Sequence, residues 1–350
     1  MTSMADASTS TTLLQSIQYN PAGQMTSQLL ANGVVETRDY NARGQLTAVT
    51  ATQNTATLLN LAYGYGSQNA GRIRQRIDSI QPEHSAQYAY DSTYRLKQAV
   101  AANWTWGISW NFDAFGNRTA QTPYGLATGK VGAQTLGYFN NRISGLAYNP
   151  AGGVTNDAVH VYSYDGENRI ISVDGGAIQY AYDGEGRRVK KTVGSETTYY
   201  FYHGTEMISE FTATATGALQ ASATDRLRYH IAEQTGTTVL TLSPSGMVLE
   251  NNHVLPYGEP WQPAVGSANA MRFTSYYADA ESGLDYAMAR FYASRNGRFM
   301  SPGANVDLAD PQSWNAYVHV QNDPPEDQDA WIKNDDGLRG RLNQYGHRLI

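Results

Sequence analysis

Seven histidines are scattered along the chain, at His84, His160, His203, His230, His253, His319 and His347, and none are spaced as paired metal ligands. Cysteine is absent, so thiolate metal sites and disulfides are excluded. No glycine-rich phosphate loop, dinucleotide fingerprint or nucleophile elbow occurs. No metal and no cofactor is expected. Two clusters invite a binding reading. Trp104, Trp106 and Trp110 alternate along the chain, which on a strand sets three indoles on one face. Exposed, they would be a platform for sugar rings. Buried, they would be an aromatic cluster that stabilises a sheet, and this is the preferred expectation. The only dense basic run is Arg187-Arg188-Val189-Lys190-Lys191. A strand splits its charges between two faces, so the run reads as a solvated hairpin arm, and a net charge of -6 gives no basis for a nucleic-acid partner.

The elements that must carry these residues follow from composition and repetition. The 350 residues suffice for one large all-β domain or two smaller ones. Only 16% are charged, yet mean hydropathy is -0.49. The polarity therefore comes from Thr, Ser, Gln, Asn, Gly and 25 Tyr, a mixture that suits half-wet sheet surfaces. The 33 Gly and 12 Pro call for many turns, and aromatics at 11% are too abundant for disorder. The N-terminus lacks a basic and apolar leader pattern, and no apolar run is long enough to span a bilayer.

One pattern recurs: an aromatic, then Asp or Asn, two loose positions, often Gly, then a polar and an aliphatic residue. Its copies begin at Tyr19, Tyr40, Tyr90, Phe112, Tyr148, Tyr164 and Tyr182, with a degenerate copy from Tyr65. The turn positions are Gly23, Gly44, Asp91, Asp113, Gly116, Asp165, Asp183 and Gly186. The unit reads as a hairpin. The aromatic ends a strand, the Asx side chain bonds the backbone ahead of it, and Gly permits positive φ. Flanking stretches such as Gln87-Tyr88-Ala89-Tyr90 alternate with the strand period.

These repeats resemble the YD-repeat, or RHS-repeat, family. Later segments add to the likeness: Tyr229 to Leu240, then Leu255-Pro256-Tyr257-Gly258-Glu259, then Phe273 to Pro302 with Gly283, Leu284, Tyr286, Arg290, Tyr292, Gly297, Arg298 and Phe299. This last stretch is similar to the RHS-repeat-associated core. The resemblance covers roughly residues 15–325 and implies an all-β fold, an array of antiparallel β-hairpin repeats forming a curved sheet or partial β-shell with a C-terminal core. It implies a structural role, in which long members roll hairpin ribbons into a shell around a C-terminal toxin or other payload.

The resemblance also implies an aspartyl autoprotease in many members, built on two carboxylates sharing a proton. Here Gly303 follows Ser301-Pro302 where the family has Asp. Asp329 keeps its spacing to Pro324 without the usual Pro and Gly after it, and Asp307 is the substitute for the lost partner. Self-cleavage is therefore not the expected activity.

The expected organisation is a flexible N-terminus at 1–14, a hairpin array at 15–255, a core at 256–325 and a charged, mobile tail at 326–350. The chain reads as a piece of a longer shell protein that lacks its payload, not as an enzyme. A surface carbohydrate-binding module and a degraded autoprotease are the alternatives. The implied partners are an upstream shell segment, a toxin payload or a surface glycan. Family members are secreted or cell-surface, but no signal peptide is read in this chain.

Overall fold

A computed structural model describes residues 4–6, 11–204, 206–213, 227–261, 270–303 and 310–325. Asp307, Asp329 and the 326–350 tail lie outside these residues.

The described fold is almost entirely antiparallel sheet, joined in strict chain order. A twelve-stranded meander runs from Met4–Asp6 to Gln134–Thr135. Two small ribbons follow: Tyr138–Phe139 with Arg142–Ile143, and Ala147–Tyr148 with Val154–Asn156. A six-stranded meander then runs from Tyr162–Tyr164 to Glu206–Ala213. Three strands from Tyr229–Ala232 to Val248–Asn251 and four from Tyr277–Asp279 to Arg298–Phe299 complete it. Every hydrogen-bonded neighbour is also a sequence neighbour, as hairpin repeats require. No helix among the described residues is long and apolar enough to cross a membrane, which says nothing about strands.

The strands of the meanders bury one face. Val34, Glu36 and Arg38 alternate with half-exposed Val35 and Thr37, the period of a pleated strand. In the repeats the pairing shifts register immediately before the motif aromatic, at Gln18/Tyr19, Asp39/Tyr40, Ala89/Tyr90, Asn111/Phe112, Ala147/Tyr148, Ser163/Tyr164 and Ala181/Tyr182. Such a bulge adds twist and bends the strand, so one recurs with each repeat.

The buried face is covered by the chain's own C-terminal third. Leu14 to Ile73 pack on Tyr229, Ile231, Val239, Leu240 and Leu242. Further along, Ala86 to Val131 pack on Leu255, Tyr257 and Trp261. The six-stranded meander packs on residues between Met271 and Met300. The two halves thus run alongside each other in the same chain order. Residues 229–251, grouped by sequence with the array, instead sit on its buried face together with the segment that follows. Tyr229–Ala232 and Thr238–Leu242 are consequently buried on both sides.

Candidate functional site: turn staples and buried arginine locks

At each repeat the Asx residue organises a four-residue turn. Asp183 Oδ1 accepts the backbone N–H groups of Glu185 and Arg187, while Oδ2 accepts Arg187 Nε. Asp91, Asp113 and Asp165 repeat this geometry, and Asn20 and Asn41 follow it with an amide. Gly23, Gly44, Gly116 and Gly186 take φ between +74 and +83 at the fourth position. Where glycine is lost, Tyr94 and Asn168 carry the same positive φ, at 65 and 61. Burial alone would raise the Asp183 carboxyl, but bonds from Arg187 and the turn N–H groups more than offset it and hold its pKa below the ordinary value.

The residue after the turn then reaches the next repeat. Gln24 Nε2 donates to Gly44 O at 2.7 Å, Arg95 Nη1 to Asp113 O at 2.8 Å and Arg187 Nη1 to Gly204 O at 2.7 Å. A second rung comes from the aromatics. The hydroxyls of Tyr40, Tyr65, Tyr90, Tyr138, Tyr164, Tyr182 and Tyr202 donate backward to the carbonyls of Met25, Leu46, Ile73, Arg118, Val154, Ile170 and Arg188, at 2.5–2.9 Å. Six of these acceptors are the first residue of the preceding return strand, and Ile73 stands two residues before the strand Gln75–Asp78. Tyr138 and Tyr202 are thus repeat aromatics outside the sequence pattern, because Phe139 and His203 stand at the position where it has Asx. Tyr19, in the first copy, is partly exposed.

The buried face carries a different device. Met25, Leu46, Ile73, Leu96, Val154 and Ile170 fill the aliphatic slot after the turn, but Arg118 and Arg188 occupy it in two copies. Both are buried. Arg188 is not part of a solvated arm: its guanidinium carbon lies 4.3–5.2 Å from the ring centroids of Tyr180, Tyr200, Tyr277 and Tyr286, and it pairs with Asp279. Lys191 reaches the same carboxylate at 3.0 Å and Glu281 at 2.6 Å. Burial opposes the Arg188 charge, but Asp279 and the surrounding tyrosines outweigh it and hold its pKa above the ordinary value. The arm reading fails because the slot points inward, where a cation is tolerated only with an anion and aromatic faces. Arg118 stacks 5.1 Å from the Tyr257 ring and donates to Arg295 O. Two other inward arginines contribute: Arg38 binds Glu36 and Ala232 O, and Arg76 binds Glu233.

The core-motif residues are the other half of these locks. Gly283 takes φ +65 in the turn between Asp279 and Leu284, whose side chain is buried. Tyr286 accepts the Arg188 N–H through its hydroxyl. The Tyr292 hydroxyl donates to Tyr257 O. Gly297, at φ +62, leaves room for Arg118 and Tyr257: a Cβ there would lie 2.8 Å from Arg118 Nη1. Arg298 donates to Asn117 Oδ1 and Asn141 O, and Arg290 covers Phe299 while donating to Ala316 O. The 310–323 segment then crosses successive turns. Gln312 donates to Thr93 O, Asn315 to Phe115 O, Asn322 to Gly116 O and Tyr317 to Gly152 O, while Asp323 pairs with Arg72.

The tryptophans do not form a platform. Trp106 and Trp110 are buried against Trp261 and Tyr257, with Trp110 Nε1 donating to Gln121. Of these three only Trp104 is exposed, at 62%, in a turn with positive φ. Sugar stacking needs open ring faces, so the carbohydrate reading fails at two of its three residues. Gly303, which stands where the resemblance would put an Asp, has no side chain and donates its N–H to Ala316 O. Among the described residues no group of three His, Asp or Glu converges on a metal position. Two buried acids are perturbed upward. Asp285 is pushed up to about 8, by burial and by Asp279. Burial also raises Glu259 against the opposing pull of Arg118.

The RHS Repeat family model matches residues 19–56. Among curated proteins, a tRNA3(Ser)-specific nuclease WapA from Bacillus spizizenii is 26% identical over 259 residues, 64% of this chain and 11% of the relative. The tRNA nuclease WapA of Bacillus subtilis strain 168 is 25% identical over 260 residues, with the same coverage. The chain thus spans about a tenth of the length of these relatives. Among solved structures, a TcdB2-TccC3-Cdc42 crystal structure superposes with a TM-score of 0.73 at 19% identity, over 93% of this chain and 20% of that one. The Photorhabdus luminescens Tc holotoxin pore gives a TM-score of 0.74 at 19% identity, covering 92% and 19%.

Proposed function

We propose that this RHS/YD-repeat protein is a structural shell segment whose core closes the buried face of its hairpin array, and that it holds or presents a payload rather than performing catalysis. The observation that carries this reading is the parallel course of array and core, fastened by arginine locks and by the 310–323 segment across the turn edge. Such a wall is fastened to itself at many points and supports a load without chemistry of its own. Its partners, on this reading, are further shell segments or a toxin-like payload, and its place of action is the cell surface or outside the cell, as for RHS proteins generally.

The test is protection. A compact reporter fused after Ile350 is expected to resist protease while a free reporter is digested. Equal digestion of both would overturn the shell reading. Incubated alone, the chain is expected to remain one species of 38.3 kDa by intact-mass spectrometry. A shorter product would instead assign self-cleavage.

A further inference from the structure

His84 and His253 lie face to face across the junction between array and core. Their ring centroids are 4.0 Å apart and their planes differ by 5°. His84 ends the short 3-10 turn Pro82–His84, in the link between two strands of the twelve-stranded meander. His253 precedes the Leu255-to-Glu259 turn and accepts the Trp261 N–H at its carbonyl. Trp261 packs edge-on against both imidazoles and tilted against Trp106, 5.4 Å away. The stack therefore fastens the 251–261 segment to the sheet.

We propose that this histidine stack is an acid-sensitive latch: a proton on either imidazole separates the pair and lifts the 251–261 segment from the array.

The surrounding charges differ at the two rings: Arg76 disfavours a proton on both, while Asp78 and Glu83 favour one on His84. Arg76 donates to His84 O and is paired with Glu233. On the array side Asp78 and Glu83 face His84, and the Asp78 carboxylate is engaged by the N–H groups of Ile80 and Gln81. Lys130 lies over the Trp261 ring, 5.3 Å from its centroid. His253 Nε2 is buried without a hydrogen-bond partner, so no acceptor awaits the added proton. A cavity of about 40 Å³ beside the stack, bordered by His253, Arg76, Glu233 and Asn252, has room for the water that would deliver it. Burial lowers both imidazoles and the Arg76 charge lowers both further; Asp78 and Glu83 offset this only in part at His84, and His84 also lowers His253. Released rings would titrate at the ordinary value near 6.5. The folded pair resists protonation, so the contact is intact above that pH and weakens as pH falls below it.

Hydrogen exchange of the intact 350-residue chain at pH 7.5 and 5.0, corrected for intrinsic rates, reads the latch directly. Peptides covering 251–261 are expected to exchange about tenfold faster at the lower pH, since one linked proton gives up to about tenfold per pH unit. Peptides from 284–299 report the separately buried His319 and separate local release from general loosening. His253→Phe keeps a stacked ring without a titrating group and is expected to hold 251–261 within about twofold of its neutral rate. His84→Phe gives the same comparison from the other side. An acid response unchanged in both variants, or spread evenly over the chain, would overturn the proposal. So would a wild-type NMR titration in which either ring ionises near 6.5 while the Leu255 and Trp261 amides stay protected.

Discussion

The turn edge and the buried face fasten the same strands by opposite means. The edge uses many near-identical, partly exposed bonds, each linking one repeat to the next. The face uses a few unlike devices, each linking residues 91 to 157 positions apart: Arg188 with Asp279, Arg118 with Tyr257, Arg76 with Glu233. The edge therefore distributes its stabilisation over many small terms. The face concentrates it in contacts that cannot lose one partner without leaving the other buried and unpaired.

The sharpest way to break that contrast is Arg188→Ala. It leaves Asp279 buried with only Lys191, and a loss of about 3–5 kcal/mol in urea denaturation is expected. The double variant Arg188→Met with Asp279→Leu should recover much of that loss. No recovery would mean that the aromatic box, not the ion pair, carries the lock.

The next largest effect is a gain. Asp285, held near 8, stays protonated in the folded chain where the unfolded chain ionises near 4. Between those values the folded state binds more protons, so stability falls as pH rises from about 4 to 8 and levels off above. Asp285→Asn should remove this slope, raising stability at pH 8.5 by roughly 2 kcal/mol or more and hardly at pH 4. Melting curves at the two pH values check it, and a parallel profile in both proteins contradicts it.

Two glycines compare the regions directly. Gly297→Ala meets both positive φ and the Arg118 side chain, for about 2–3 kcal/mol. Gly23→Ala meets the φ cost alone, about 1 kcal/mol, because nothing lies within 4 Å of its Cβ. Equal losses would erase the distinction between edge and face. Smallest are single staples: Asp183→Ala should cost about 1 kcal/mol and Tyr182→Phe about 0.5–1 kcal/mol. The Asp183 contribution is present above the ordinary carboxylate range and is lost as pH falls through the depressed folded pKa, so its variant effect should shrink in acid.

The same contrast explains what sequence could reveal. The edge is local: aromatic, Asx, positive-φ residue and reaching side chain fall within seven positions, so Tyr40 and Gly44 or Asp183 and Gly186 are visible in one line of text. The all-β fold follows from that repetition. The face is non-local. Nothing near Arg188 in the sequence names Asp279, and a basic run looks the same whether solvated or caged. One signal was available, since arginine stands in the aliphatic slot at 118 and 188 while Glu36 and Arg38 share a strand face with Val34. Trp106 and Trp110 show the same limit: alternation placed them on one face, but only the docking of Tyr257 and Trp261 shows that the face is covered.

The backward hydroxyls of seven repeat tyrosines and the forward reach of the turn side chains have a consequence for how such a chain can lengthen. Most units carry one connector in each direction; the exceptions include Phe112, which has no hydroxyl, and Tyr148, whose hydroxyl accepts the Ile143 N–H. A whole unit inserted between two others finds its fittings already cut, whereas half a unit leaves two connectors with nothing to meet. Growth of the wall is therefore quantised in hairpins, and its length is set by how many are copied, without redesign of any one of them.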